Sequence, residues 1–354
     1  MATSPAPLVS RAGRNPQLDG LRAFAIALVI VAHALRFPAG NVNAAREAIG
    51  EVGVSVFFVL SGFLITTLLI AERKKTGTID LGAFFVRRAR RIFPAYYVYL
   101  GVLALLAGLG VIAVQPREFI IDALYLRDYS AQSFSWLEHT WSLAVETQFY
   151  LVWPALMLAL GNRRSRTFAI GVVVLSPFVR IASYALFPTH RDLMTIALHT
   201  RADMLMFGCA TAMLIEHGVP AWFERACRAI SPALSLVILA ACIGATGVLH
   251  GLFAFSVGMT LEGIAITTLL VNVLERPEIP FARVLRSRPA TWIGTISYSL
   301  YLWQQPFLFP RDSALIGRFP INLVALLIVA CASYYLVERT FFKAKPVRVI
   351  VESA

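Results

Sequence analysis

Arg22 and His33 are the two chemistry-bearing residues most out of place in this chain. Both lie in an apolar stretch, Leu18 to Leu35, that reads as a membrane-spanning helix. The eleven-residue step between them is close to three helical turns, so they share one face, ~16 Å apart along the axis. A cation and a titratable imidazole on one buried stripe are costly in lipid, and such residues are usually kept for function. An imidazole, with a pKa near neutrality, can take a proton from an attacking hydroxyl. The competing role for His33 is a core histidine bonded to a neighbouring helix. Arg22 cannot shed its charge, and its competing role is an interfacial arginine that snorkels to the surface.

Other polar residues interrupt apolar runs. Glu146 stands about two turns into a span that begins at Thr140, at the depth expected for His33. Ser142, Glu146, Phe149, Tyr150 and Trp153 share one face there. Glu146 could orient His33 or stabilise its imidazolium, or pair with a buried arginine such as Arg36 or Arg180. Arg87-Arg88-Ala89-Arg90-Arg91 suits bidentate contacts to phosphates, and equally an anionic inner leaflet. His199, Arg201 and Asp203 form a further cluster, open between site lining and interhelical pairing. Tyr298, Tyr301 and Trp303 could line a sugar cavity, with an interfacial aromatic belt slightly favoured. Glu262 stays unassigned. Cys209, Cys227, Cys242 and Cys331 show neither metal spacing nor a disulfide framework.

The elements that position these groups must be membrane helices. The 354 residues are 58% hydrophobic and only 15% charged, too few charges for a soluble domain of this size. A net charge of +12 could suggest nucleic acid. The basic residues cluster between spans instead, as the positive-inside rule requires. Apolar runs predict ten spans, near 20–37, 51–71, 94–114, 140–160, 167–187, 192–216, 231–250, 253–274, 289–309 and 319–339. With the N-terminus in the cytoplasm, 22 Lys and Arg fall in inner segments and 6 in outer ones. That bias puts both ends inside, with Arg22 towards the cytoplasm and His33 further out. The expected organisation is all-α and polytopic: a cytoplasmic tail (1–18), a transmembrane domain (19–342) and a second tail (343–354). No cleavable signal is expected, the first span serving as an anchor.

Five motifs occur in order. Arg22 and His33 are followed by Gly53-Val54-Ser55-Val56-Phe57-Phe58-Val59-Leu60-Ser61-Gly62-Phe63, then by Arg87-Arg88-Ala89-Arg90-Arg91-Ile92-Phe93-Pro94. Next come Trp141-Ser142-Leu143-Ala144-Val145-Glu146-Thr147-Gln148-Phe149-Tyr150 and the late pair Ile296-Ser297-Tyr298 to Trp303 and Val337-Glu338-Arg339. This set resembles the membrane acyltransferase-3 family, multi-spanning O-acyltransferases of bacterial surface glycans and some antibiotics. The resemblance runs from Leu18 to about Phe342. The chain departs from it at Gln304, where the family often has His, at Thr147, where it commonly has Glu, and at Thr340, where it has Pro.

The resemblance implies an acyl-CoA-dependent O-acyltransferase of the bacterial inner membrane, with acetyl the expected group. His33 is then the general base and Glu146 its partner. Arg22, Arg88 and Arg91 receive the donor from the cytoplasm. Ser61, Ser142, Tyr150, Arg201, Asp203, Tyr298 and Gln304 are candidate lining residues. Acyl-CoA is a co-substrate and no bound cofactor or metal is expected. The partners are a glycan or other hydroxyl-bearing acceptor and membrane lipid, with no nucleic acid. No nucleophile stands beside His33, so direct transfer is expected over an acyl-enzyme, for which Ser61 and Ser142 are the serines to test. A transporter or a lipid-linked glycan carrier, using the same Arg, His and Glu as a relay, is the rival class.

Overall fold

The computed structural model describes residues 15–34, 41–130, 136–216, 220–308 and 318–343, and every regular element among them is helical. α1 (Pro16–Ala34) runs against α2 (Asn41–Thr76), and α3 (Leu81–Gly108) follows. α4 (Pro116–Ala123) and two single 3-10 turns lead into α5 (Trp141–Leu186). Then come α6 (Leu198–Glu216), α7 (Ala221–Ala229), α8 (Pro232–Phe253) and α9 (Met259–Glu275), the last two joined by a π turn. The chain closes with α10 (Pro280–Leu285), α11 (Arg288–Thr295), α12 (Ser297–Leu308) and α13 (Ile321–Ala332), which continues through a second π turn.

Seven of the described helices are long and apolar enough to cross a membrane. The difference from ten spans has local causes. The fourth and fifth expected spans fall in α5, a single run broken at Gly161, whose φ of 71° turns the chain out of helix. Arg73 caps that break from α2, donating to the Met157 carbonyl and to Asn162 Oδ1, each at 2.7 Å. The ninth expected span is two short helices, parted at Ile296. α6 carries Arg201 and Asp203, yet its sides are buried almost throughout. The third span starts well before Pro94: Asp80 caps α3 by accepting from Ala83 N, and Pro94 lies inside the helix. Bilayer helices tolerate proline where neighbours re-satisfy the freed backbone, so Arg87 to Arg91 are helical.

Glycines set the closest crossings. A Cβ on Gly62 of α2 would strike the Leu205 carbonyl of α6, and one on Gly208 would strike Val59 and Phe63 in return. Small residues at such a crossing let backbones touch, which drives helix association where lipid offers no hydrophobic gain. The Arg201–Glu51 and Lys74–Glu216 ion pairs tie the two ends, so α2 and α6 run parallel. α8 and α9 are antiparallel, with Ser235 Oγ near the start of α8 3.0 Å from Thr268 Oγ1 in the second half of α9, and Asn272 Nδ2 of α9 donates to the Cys227 carbonyl of α7 at 2.8 Å.

A cap of short elements covers the start of α5. There Asp122 takes hydrogen bonds from Arg127 and Thr140, and all three residues are buried. Tyr96 Oη donates to the Asp122 carbonyl at 3.0 Å and Tyr99 Oη to the Trp136 carbonyl at 2.8 Å, which fastens the cap to α3.

Candidate active site

The sequence-predicted residues meet in one cavity between α1, α2, α3, α5 and α12. Arg22, Ser61, Arg88, Arg91, Ser142, Glu146, Tyr150 and Tyr298 all line it. Its remaining wall is largely apolar, with Val54, Phe57, Phe58, Leu64, Ile65 and Leu143. α5 brings Ser142, Glu146 and Tyr150 by steps of four, one stripe of a helix. The tyrosines of α12 belong to the site and not to an interfacial belt. Tyr298 Oη donates to the Ile92 carbonyl at 3.0 Å, and Tyr301 is buried with its hydroxyl 2.6 Å from Ser142 Oγ.

Glu146 is held from two sides. Ser61 Oγ donates to its Oε1 at 2.6 Å and Tyr150 Oη to its Oε2 at 3.2 Å. Arg22 donates to Asp19 Oδ1 at 3.1 Å. Arg88 stacks by its guanidinium over the Phe84 and Tyr150 rings, 5.6 and 5.8 Å from their centroids. It makes no ion pair with a carboxylate among the described residues, and its buried Nε has no hydrogen-bond partner.

His33 stands apart from this cavity. Its Nδ1 is 2.8 Å from the Val29 carbonyl. A carbonyl only accepts, so Nδ1 carries the proton and Nε2 keeps its lone pair, the form a general base needs. Helix register fixes its depth. A Cβ on Gly53 would meet the Ala25 carbonyl at 2.7 Å, and one on Gly50 would lie 3.9 Å from His33 Cε1. Ser61 is eleven residues beyond Gly50 on the same helix, hence ~16 Å further along it. Glu146, bonded to Ser61, is therefore level with Arg22 and not with His33. The expected shared depth fails because Thr140 is no surface residue: the cap around Asp122 buries it.

Three other expectations meet different surroundings. Arg201 pairs with Glu51 at 3.1 Å and lies 5.4 Å from the Trp141 ring, while Asp203 binds the buried Arg180 at 2.5 Å. Neither lines the cavity, and interhelical pairing is what they do. Arg180 is thereby occupied and does not serve Glu146; Arg36 lies outside the described residues. Gln304 is buried beyond the cavity wall. Glu262 accepts from Ser55 Oγ at 3.5 Å.

Sequence reasoning missed His139, a buried imidazole one turn before Ser142, and Gln148, whose Nε2 donates to Asp128 Oδ1 at 2.8 Å. His139 had a signal, standing immediately before the Thr140-Trp141-Ser142 run. Asp128 lies outside the spans, and burial lifts its carboxyl from 3.8 to about 6.

The sequence that builds this cavity matches a known class. Residues 15–339 match the family described as "Acyltransferase domain". The chain belongs to that family, as its motifs indicated. It is 28% identical to the peptidoglycan O-acetyltransferase OatA of Listeria monocytogenes, over 94% of this chain and 56% of that protein. It is 30% identical to the O-acetyltransferase OatA of Staphylococcus aureus, over 90% of this chain and 54% of the relative. YrhL of Bacillus subtilis is 29% identical over 92% of the chain and 54% of its own length. The chain thus spans about half the length of these curated relatives. No solved structure matches it.

Proposed function

We propose that the chain is a membrane O-acyltransferase that moves an acetyl group from cytoplasmic acetyl-CoA to a hydroxyl of a glycan at the outer side. Its membrane is the bacterial inner membrane, crossed ten times with both ends cytoplasmic. The observation that carries this reading is the cavity itself. Arg22, Arg88 and Arg91 converge there, and Arg88 has a buried guanidinium nitrogen with no partner. Arg22 already meets Asp19, but a buried guanidinium such as Arg88, with no carboxylate paired to it among the described residues, is costly in a bilayer, and planar guanidinium forks fit phosphate oxygens. The names of the relatives make peptidoglycan sugars the first acceptors to try.

The distances suit a donor with a long thin arm. An extended chain of about a dozen bonds spans roughly 15 Å, comparable with the rise from the cavity arginines to His33. Phosphates held at Arg88 and Arg91 would leave the arm to run along the polar edge of Ser61, Glu146 and Tyr150. The thioester then reaches the level of His33. There His33 Nε2 takes the proton of the acceptor hydroxyl as its oxygen attacks the thioester carbonyl. The tetrahedral adduct collapses, the C–S bond breaks, and the thiolate leaves and is protonated. Transfer is direct, with no acyl-enzyme.

Coenzyme A binding to the purified chain tests the donor end. Arg88→Ala should weaken it roughly ten- to a hundredfold, as loss of one charge-assisted contact of about 1.5–3 kcal/mol predicts. Unchanged affinity in that variant would contradict the assignment, and transport without coenzyme consumption would favour a carrier.

A further inference from the structure

Beyond the outer end of the cavity, two of its walls continue by one more turn. On α12, Ser297 and Tyr301 line the cavity, and Gln304 is the next residue on that face, by steps of four and three. Beside α5, Ser142 and Glu146 line it, and His139 lies three residues before Ser142 on the same stripe. These two continuations meet: His139 Nε2 is 3.0 Å from the Leu302 carbonyl, and Tyr301 Oη donates to the His139 carbonyl at 2.8 Å. Trp303 joins them through Tyr99, whose ring stands edge-on to both, 5.7 Å from His139 and 5.2 Å from Trp303.

Each of these three side chains is at least nine-tenths buried, and each holds polar atoms without a hydrogen-bond partner: His139 Nδ1, Trp303 Nε1, and both Nε2 and Oε1 of Gln304. Buried polar atoms are almost always paired in native proteins, so a group of them calls for a ligand. Their chemistry limits which one. Because the Leu302 carbonyl only accepts, His139 Nε2 bears the proton and Nδ1 is an acceptor. Trp303 only donates, and the Gln304 amide does both. None of the three needs to carry a charge, so the group suits a neutral polyhydroxylated ligand whose hydroxyls donate and accept. Phosphates belong with the arginines on the other side of Tyr301.

We propose that His139, Trp303 and Gln304 form the seat of the acceptor sugar, on the His33 side of Glu146. This rests on the acyltransferase reading for its role but not for its test. The test uses the full chain in nanodiscs with a trimer of N-acetylglucosamine as probe, its affinity measured without acetyl-CoA. Trp303→Phe keeps the ring and removes the donor; Gln304→Leu keeps the volume and removes the amide. Each should weaken trimer binding roughly three- to tenfold, the worth of one hydrogen bond, and leave coenzyme A affinity and thermal stability unchanged. Wild-type trimer affinity in both variants would overturn the seat, as would an equal loss of coenzyme A binding. Failure of the wild-type chain to bind coenzyme A would sink the acyltransferase reading instead, while the trimer affinities still decide the seat.

Discussion

At the scale of single residues, the site divides by what each group can do without moving. Arg88 offers a cation and Glu146 is already occupied by two hydroxyls. Glu146→Gln should therefore raise the KM for acetyl-CoA several-fold with a smaller change in kcat, since in the proposed pose it would meet the donor's arm and not the reacting atoms. Steady-state kinetics would show a kcat collapse if Glu146 acted on His33 after all. Asp128 gives a pH signature. Its folded carboxyl titrates at about 6 against 3.8 ordinarily. The fold thus favours the protonated form, and this contribution to stability is full below pH ~4 and lost as pH rises through 6. Asp128→Asn should flatten that part of the melting-temperature profile, and an unaltered slope would contradict the assignment. Arg22, Ser61, Arg88, Arg91 and Glu146 were legible as a group because each sits in one of the ordered motifs. His139 was passed over despite standing just before the Trp141 motif, since a lone histidine at a helix start looks like any other until its partners are known.

At the scale of elements, the seven long apolar helices among the described residues were legible from apolar length, but the breaks in and between the expected spans were not. Pro94 looked like a boundary and is helix interior, because helix continuity in lipid depends on neighbours that a sequence does not display. Gly161, which falls between the fourth and fifth expected spans, is the joint of α5. Depth suffered most: counting turns from Thr140 placed Glu146 beside His33, and only the buried Asp122–Arg127–Thr140 cap shows where the surface is not. Two element contacts are open to direct test. Gly62→Leu drives a side chain into the Leu205 carbonyl of α6, and overpacking of this kind costs about 1–3 kcal/mol or more. Asp203→Ala leaves Arg180 buried without its partner, a loss of about 3–5 kcal/mol. Denaturant unfolding in detergent micelles reads both, and wild-type stability in either would refute the packing described.

At the scale of the whole molecule, positive charge, cavity and imidazoles lie in sequence along one direction. The arginines stand at one end of α1, Glu146 and Ser61 level with them, and His33 and His139 further along. In the proposed topology, which follows the positive-inside rule, the arginine end is cytoplasmic. Cysteine labelling at Lys74 and Arg117, in turn, should then be accessible from the inner and outer face respectively. The central claim is that one donor bridges these ends, bound at the arginines and consumed at His33. The measurement that tests it most directly is transfer of labelled acetyl from acetyl-CoA to a glycan by the purified chain carrying His33→Gln. Removal of a general base lowers turnover by roughly 10²- to 10⁴-fold, and coenzyme A affinity should stay at the wild-type value. Undiminished turnover in His33→Gln would contradict the account.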